Sequence, residues 1–151
     1  MESVQLTPDQ GSYLAPSFEH ATVADAMRHG VAACSPDAPA VDVARLMATR
    51  HIHAVIVAGV EHEGATSEHL RWAIASDMDL LRASTAGLDA LTAADVARTG
   101  AITIAPSASL ADAAAAMVEA GVTHLVVSDS GRPIGVLSTL DVAGVLAWGR
   151  G

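Results

Sequence analysis

The sequence feature that most constrains the fold is an internal repeat. When the chain is compared with itself at an offset of 70 residues, Thr22–Val57 aligns with Thr92–Val127 without a gap. Several identities fall on residue types that end helices or form turns, which a chance alignment of Ala-rich segments would not produce. The identical pairs are Thr22/Thr92, Ala24/Ala94, Asp25/Asp95, Arg28/Arg98, Gly30/Gly100, Pro36/Pro106, Ala38/Ala108, Asp42/Asp112, Ala44/Ala114, Met47/Met117 and Val57/Val127. The sequence therefore predicts one supersecondary unit that occurs twice.

The second half of the repeat aligns in a different register. Trp72–Leu81 aligns with Ile134–Ala143 at an offset of 62 instead of 70, so the first copy is eight residues longer between its last two strands. The additional residues belong to the polar stretch Gly59–Glu68. In the second copy the same connection is the short Ser128–Arg132, whose composition is typical of a hairpin turn.

Both copies predict the same order of helices and strands. Each begins at a threonine with an aspartate three residues later, which is typical of a capped helix start, and each first helix is expected to end at Gly30 or Gly100. The remaining predicted elements of the two copies are the strands Val31–Cys34 and Ala101–Ile104, the helices Ala40–Arg50 and Leu110–Ala120, the strand pairs His53–Val57 with Arg71–Ala75 and His124–Val127 with Pro133–Leu137, and the helices Asp77–Ala83 and Thr139–Ala147. The predicted fold class is α/β (α+β), with two tandem βαββα repeats.

We expect one compact module, because 151 residues is the usual size of a single domain. The predicted boundaries are an N-terminal arm at 1–21, a first repeat at 22–84, a linker at 85–91 and a second repeat at 92–149.

The charge of the chain argues against nucleic-acid binding. The formal net charge is −9, and the eight basic residues are all arginines without a cluster. Nucleic-acid binding needs a positive surface that neutralises phosphates, so we expect no nucleic-acid partner. The absence of lysine also excludes Schiff-base chemistry and a P-loop.

The apolar stretches and the cysteine content favour a cytoplasmic protein without a membrane span. The longest apolar stretches, such as Val142–Trp148, are much shorter than the roughly 18 residues that a membrane span needs. Met1–Pro16 has acidic residues and no basic residue, unlike a signal peptide. The single cysteine, Cys34, fits a reducing compartment and is expected to be a buried, unreactive thiol.

The motifs of common enzymes and metal sites are absent. The sequence has no Gly-x-Ser-x-Gly, no Cys-x-x-Cys and no Rossmann glycine fingerprint after a strand. Glu61–Glu63 with Glu68 and His69 could suggest a metal cluster, but the spacing favours a solvated acidic loop. We therefore expect neither catalysis nor a resident metal, and no required cofactor.

A Ser-x-x-Asp motif starts the last helix of each copy, at Ser76/Asp79 and at Ser138/Asp141. This pattern is an ordinary helix cap. The same geometry can also bind a nucleotide, because helix N-terminal N–H groups and a hydroxyl suit a phosphate. The carboxylate one turn later could accept hydrogen bonds from two ribose hydroxyls.

Taken together, these motifs resemble a tandem pair of cystathionine-β-synthase-type (CBS) domains, known as a Bateman module. The likeness covers about Thr22 to Leu146 and lies in motifs of both copies: Asp25–Met27, Ala44–Met47, His51–Val55, Gly121–Val127 and Gly131–Asp141. The resemblance implies a pseudo-twofold pair of repeats with sheets packed against helices, an adenine-nucleotide cleft near each Ser-x-x-Asp, and homodimers. The chain departs from the family pattern at Ile56 and Val126, where proline is common, and at Ala73, where glycine is common.

The resemblance also implies further cleft residues. The backbone at Ala32 and Ile102 is expected to hold the base, and Thr123 with His124, and His53 with Ala54, to line the mouth of the cleft. His53 could instead be a packed structural histidine. Arg82 either lies on a solvated face or brings positive charge to the first cleft, where the second copy has Gly144.

The resemblance and the duplicated motif predict a non-catalytic, energy-sensing regulatory module. It would bind AMP, ADP or ATP in the clefts between the repeats and signal to a regulated protein through its conformation or dimerisation. The alternative is a ligand-free interaction module that forms dimers. The apolar helix Leu110–Ala120 fits either a face covered by the chain's own core or one covered by a second subunit.

Overall fold

Fourteen short helices and strands lie along the chain in a computed structural model that describes residues 16–59, 72–97 and 99–149. They contain the predicted elements in their predicted order, together with two short strands that were not predicted. The elements of the first repeat are α1 (Val23–Ala26), β1 (Arg28–His29), β2 (Ala33–Cys34), α2 (Ala40–Arg50), β3 (Ala54–Ala58), β4 (Trp72–Ser76) and α3 (Asp77–Ser84). A 3-10 helix at Leu88–Ala90 then leads to the elements of the second repeat, which are α4 (Ala93–Val96), β5 (Thr99–Gly100), β6 (Thr103–Ile104), α5 (Leu110–Ala120), β7 (His124–Asp129), β8 (Arg132–Ser138) and α6 (Thr139–Trp148). The α/β class is confirmed.

The two long helices, α2 and α5, have the predicted bounds, and each ends at a residue in the left-handed conformation. The Ser109 hydroxyl accepts the backbone N–H of Asp112 at 3.0 Å at the start of α5. Gly121 ends α5 in the left-handed conformation with φ 65°, and His51 ends α2 with φ 52°. A left-handed residue stops the helical hydrogen-bond pattern.

The first helix of each repeat is shorter than predicted. We expected it to reach Gly30, but α1 ends at Ala26 and Met27 is already extended with ψ 154°. The next residues, Arg28 and His29, form strand β1. The reason is a long-range strand pairing, which local propensity does not reveal.

Each sheet takes an edge strand from the other repeat. One four-stranded sheet has the order β1-β8-β7-β6, and the other has the order β2-β3-β4-β5. Strand β2 is parallel to β3, while β3 and β4 are antiparallel, as are β7 and β8. Both sheets therefore combine segments that are far apart in sequence.

The compact units of the chain show the same exchange. One unit combines the chain up to Arg28 with the chain from Ile104 onward, and the other is His29–Thr103. Each unit thus contains the first helix of one repeat and the long helix and strand pair of the other. This division differs from the repeat boundaries at 22–84 and 92–149, which remain a prediction about the sequence repeats.

Equivalent backbone hydrogen bonds hold the exchanged segment in each unit. In one unit the N–H of Val23 donates to the Ala108 carbonyl at 2.9 Å, and that of Ala24 to the Pro106 carbonyl at 2.9 Å. In the other unit Ala93 donates to Ala38 at 2.7 Å, and Ala94 donates to Pro36 at 3.0 Å. The Pro36/Pro106 and Ala38/Ala108 identities of the repeat therefore mark the segments that receive the exchanged helix.

Each unit has its own aliphatic core. In the unit with α5 and α6, the fully buried side chains include Leu110, Leu125 and Leu137. In the other unit they include Val43, Val55 and Val57. Burying such side chains removes apolar area from water at roughly 25 cal/mol per Å², which is the main term that stabilises each unit.

Candidate functional site

Ser76 and Asp79 form a reciprocal cap at the start of α3. The backbone N–H of Ser76 donates to Oδ2 of Asp79 at 2.9 Å. The N–H of Asp79 in turn donates to the Ser76 hydroxyl oxygen at 3.2 Å. The apolar strand β4 ends at Ser76, so the cap sits where a buried strand becomes a helix.

Ser138 and Asp141 form the same cap at the start of α6. The N–H of Ser138 donates to Oδ2 of Asp141 at 2.9 Å, and the N–H of Asp141 donates to the Ser138 hydroxyl at 3.2 Å. The side chains of Asp79 and Asp141 are only 12% and 11% exposed. The two Ser-x-x-Asp motifs thus have the same local structure, one in each unit.

Each cap uses Oδ2 of its aspartate, and Oδ1 faces an arginine. Arg82 Nη1 lies 3.7 Å from Oδ1 of Asp79, and Arg28 Nε lies 3.7 Å from Oδ1 of Asp141. Both arginine side chains are more than half exposed, at 57% and 61%, so both guanidinium groups remain in contact with solvent. Each partly buried carboxylate therefore has an accessible cation within 4 Å.

Arg28 is a residue that sequence reasoning missed at this site. Gly144 of the second copy occupies the place of Arg82, so the sequence comparison offered an arginine for the first site alone. The structure supplies one from β1 of the first repeat, because β1 pairs with β8. The Arg28/Arg98 identity was the available signal, although Arg98 itself lies outside the described residues.

The amide groups at the start of α3 are already bonded within the protein. The N–H of Asp77 donates to the His53 carbonyl at 2.9 Å, and that of Met78 donates to Oδ1 of Asp77 at 2.8 Å. Since the N–H of Asp79 is bonded to Ser76, the first three amides of this helix all have internal acceptors. An incoming phosphate would have to compete with these bonds. Phosphate binding at this helix would therefore depend more on side chains than on the helix N–H groups.

The start of α6 differs from α3 at one position that matters for charge. The N–H of Thr139 donates to the Thr123 carbonyl at 3.0 Å, as the N–H of Asp77 does to His53. A threonine thus replaces Asp77 at the first residue of the helix, so the second site has one carboxylate fewer.

The histidine pairing also differs between the two sites. Nδ1 of His53 lies 2.9 Å from Oδ2 of Asp77, and both side chains are more than half exposed. In the second copy Nδ1 of His124 lies 2.9 Å from Oγ1 of Thr123. His53 is therefore an exposed partner of Asp77 and not a packed core residue.

The other predicted cleft residues are distributed between the two units. Ala54 lies opposite Ser76 in the β3–β4 pair, and His124 lies opposite Ser138 in the β7–β8 pair. The carbonyl of Ala32 accepts the N–H of Ile56 at 2.8 Å. Ile102 is 37% exposed. The residues Ala32, His53, Ala54, Ser76, Asp79, Arg82 and Ile102 lie in the unit His29–Thr103, and Thr123, His124, Ser138 and Asp141 lie in the other unit.

An open groove of about 460 Å³ lies between α2 and α3, and neither Ser76 nor Asp79 lines it. Its walls are mainly apolar, with His51, His53 and Asp77 as the polar residues. The remaining lining residues are Ala44, Met47, Ala48, Ile52, Leu80 and Leu81. The groove has the composition of a surface that contacts apolar side chains.

Burial raises the pKa of the Cys34 thiol, which lies on β2 and is half-buried. Within 16–59, 72–97 and 99–149, no three His, Cys, Asp or Glu side chains are grouped closely enough to bind a metal ion. The acidic stretch with Glu61–Glu63, Glu68 and His69 lies outside the described residues. Over the same described ranges, the helices are all too short or too polar to cross a membrane.

Comparisons with known proteins agree with the fold of both repeats. The family model for the CBS domain matches residues 23–85 and 93–147. A CBS domain protein from Pyrobaculum aerophilum complexed with AMP is 22% identical, with a TM-score of 0.67 over 83% of this chain and 98% of that chain.

Two other solved structures show the same fold. A hexameric CBS-CP12 protein from bloom-forming cyanobacteria is 15% identical, with a TM-score of 0.70 over 81% of this chain and 69% of that chain. A CBS domain structure designated NE2398 is 27% identical, with a TM-score of 0.62 over 76% of this chain and 86% of that chain. A search among curated proteins found no match.

The family model covers most of the chain and matches it twice, in the two segments that the internal repeat defines. The duplicated strand–helix cap, the exchanged edge strands and these matches lead to one conclusion: the chain belongs to the CBS domain family and carries a tandem pair of its domains.

Proposed function

We propose that this chain is a non-catalytic regulatory module that binds an adenine nucleotide of the AMP, ADP or ATP type at its Ser76/Asp79 and Ser138/Asp141 caps. The observation that carries the proposal is the duplicated, partly buried aspartate whose Oδ1 is not used by the cap. A similar structure from Pyrobaculum aerophilum is complexed with AMP, which supports the choice of ligand.

The ribose is the part of the ligand that the aspartates fit best. Two vicinal hydroxyls can donate to a carboxylate, and Oδ1 of each aspartate is not used by the cap and lies 3.7 Å from an arginine nitrogen. Hydrogen bonds to a charged group contribute about 1.5–3 kcal/mol when they are partly shielded from water. The nearby guanidinium offsets the repulsion between each carboxylate and a phosphate.

Thermal unfolding in the presence of ligands tests the proposal. AMP, ADP and ATP at millimolar concentration should raise Tm, because a ligand that binds only the folded state stabilises it by mass action. The variants Asp79→Asn and Asp141→Asn are the matched tests. An amide oxygen can still accept the N–H of Ser76 or Ser138, so the cap is retained while the charge is lost.

We expect each Asn variant without ligand to unfold near the wild-type temperature. AMP should raise its Tm by less than it raises the Tm of the wild type. AMP should not raise the Tm of the double variant. No increase in Tm for the wild type with any of the three nucleotides would refute the proposal.

A second proposed function is assembly through an apolar helical surface. Val118 on α5 is 84% exposed, and Leu140 and Leu146 on α6 are 61% and 63% exposed. Side chains of this kind are usually covered when they form a contiguous patch. We propose that a second copy covers them in a homodimer, which would transmit the state of the ligand sites to a regulated protein.

Sedimentation velocity of Val118→Lys tests the dimer. The variant should shift from dimer to monomer at micromolar concentration with its helix content unchanged. Ala120→Lys is the control, since a residue two positions further along lies on the other side of the helix and Ala120 is also exposed. A wild-type monomer, or a Val118→Lys dimer, would contradict this second function.

A further inference from the structure

We propose that Arg28 is the phosphate-binding residue of the Ser138/Asp141 site and makes this site the stronger of the two for charged nucleotides. The inference rests on the proposed nucleotide binding and assigns a role to a residue of the opposite repeat. It follows from three differences between the two sites.

The first difference is the origin of the arginine. Arg82 belongs to α3 itself, three residues after Asp79, so its guanidinium is attached to the same helix as its partner carboxylate. Arg28 belongs to β1 and approaches Asp141 from a neighbouring strand. A side chain that enters from a second element can leave Asp141 and contact a ligand without any change in α6.

The second difference is Gly135 on β8, which stands where the first copy has Ala73. A Cβ atom built on Gly135 would lie 2.3 Å from the carbonyl oxygen of Arg28 and 3.3 Å from its carbonyl carbon. The backbone of β8 therefore approaches β1 as closely as only glycine allows. Gly135 is a positioning residue: it brings the Arg28 backbone to a defined place while the Arg28 side chain stays 61% exposed.

The third difference is the local charge. Asp77 adds a carboxylate at the start of α3 and accepts the Met78 N–H, whereas Thr139 stands at the start of α6. A phosphate at the first site would approach the carboxylates of both Asp77 and Asp79. At the second site Thr139 stands in place of the Asp77 carboxylate, and Arg28 would compensate for the charge of Asp141.

These differences predict a sequence of contacts on binding. In the ligand-free protein the Arg28 guanidinium neutralises Oδ1 of Asp141 at 3.7 Å. When the ribose hydroxyls donate to Oδ1, the guanidinium is displaced and binds the phosphate instead. Arginine suits this task because it remains charged and its planar group forms two parallel hydrogen bonds with phosphate oxygens.

Titration calorimetry with AMP and with adenosine distinguishes this role from a structural one. The measurements use the Asp79→Asn background, so that binding reports on the Ser138/Asp141 site. Arg28→Ala should weaken AMP binding about tenfold to a hundredfold, the equivalent of one lost hydrogen bond to a charged group. The affinity for adenosine, which has no phosphate, should change by less than about twofold.

Three controls complete the design. Arg132→Ala removes another exposed arginine of the same unit and should change neither affinity. Thr139→Asp, which introduces the carboxylate that Asp77 has in the first site, should weaken the binding of AMP but not of adenosine. Thr139→Asn should leave both affinities unchanged. In the Asp141→Asn background, Arg28→Ala should not alter AMP binding at the remaining site.

The results separate this inference from the proposed function. If the wild type binds neither AMP nor adenosine, both are wrong. If the wild type binds AMP and Arg28→Ala binds AMP equally well, only the role of Arg28 is wrong. The same conclusion holds if Arg28→Ala loses affinity for AMP and adenosine to the same degree. An Asp141→Asn protein that binds AMP more tightly than Asp79→Asn would overturn the ranking of the two sites.

Discussion

Asp141 accepts the backbone N–H of Ser138 through Oδ2 at 2.9 Å, and Ser138 returns the contact through its hydroxyl at 3.2 Å. This reciprocal pair performs two tasks with separate atoms. Oδ2 and the hydroxyl start the helix, and Oδ1 faces Arg28. The structural and the functional contributions of the aspartate can therefore be measured separately.

The cap itself has a measurable contribution to stability. Ser138→Ala removes the acceptor for the N–H of Asp141 and should lower the free energy of unfolding by about 1 kcal/mol. Ser138→Asn, which can still accept that N–H, should stay close to the wild type. Urea denaturation followed by circular dichroism measures both, and equal stability of the alanine variant would show that the cap contributes little.

Gly135→Ala should destabilise the unit that contains α6. The added Cβ would lie 2.3 Å from the Arg28 carbonyl oxygen, and a backbone atom cannot move away as a flexible side chain can. Overpacking of this kind costs about 1–3 kcal/mol. Ala73 occupies the corresponding place in the other repeat, opposite Gly100 in the strand pair, so the two sheets differ at this position.

Denaturant unfolding of Gly135→Ala is the measurement. The midpoint should fall relative to that of the wild type, and AMP affinity should fall with it because Arg28 is displaced. A variant with the wild-type midpoint would mean that β1 can shift away from β8 at little cost.

Asp95 should make the stability depend on pH in the acidic range. The N–H and the hydroxyl of Thr92 donate to Oδ2 of Asp95 at 2.9 and 3.0 Å, and these hydrogen bonds lower the pKa of its carboxyl. At a pH above the unfolded-state pKa, the ionised carboxylate of Asp95 therefore stabilises the folded state. That contribution is lost as the pH falls through the lower folded-state pKa, between about pH 5 and pH 2.

Urea unfolding of Asp95→Asn at neutral and at acidic pH tests this dependence. The variant should lose less stability on acidification than the wild type does. Asp89→Asn, which removes an exposed carboxylate of the same unit, controls for the change in net charge. If both variants show the full acid sensitivity of the wild type, then Asp95 does not contribute to it.

Cys34 should react slowly with thiol reagents. Burial raises the pKa of its thiol, so the reactive thiolate is scarce at neutral pH, and β3 covers one side of its strand. At pH 8 a disulfide reagent should modify Cys34 of the folded protein much more slowly than Cys34 of the unfolded protein. Urea at about 8 M, which is enough to unfold most small domains, gives the unfolded reference. Equal rates in the two conditions would contradict the burial of this thiol.

Local sequence signals were sufficient for the long helices and the caps. Leu110–Ala120 has a serine before it and a glycine after it, and the structure begins and ends the helix at those residues. The two Ser-x-x-Asp motifs follow apolar strands and form the expected caps. In each case the interacting residues lie within four positions of one another, where local geometry determines the contact.

Long-range contacts could not be predicted from local patterns. Strand β1 contains only Arg28 and His29, and nothing in that dipeptide indicates that it pairs with β8 about a hundred residues later. The exchange of first helices between the units, and the approach of Arg28 to Asp141, both follow from that pairing. For this reason the sequence comparison of Arg82 with Gly144 could not reveal that Arg28 lies beside Asp141.

Native mass spectrometry with AMP tests the central claim most directly, because it counts bound ligands per chain. The account predicts that the wild type binds two AMP molecules per chain, that Asp79→Asn and Asp141→Asn each bind one, and that the double variant binds none. A wild type that binds no AMP, or a double variant that binds as many molecules as the wild type, would contradict it.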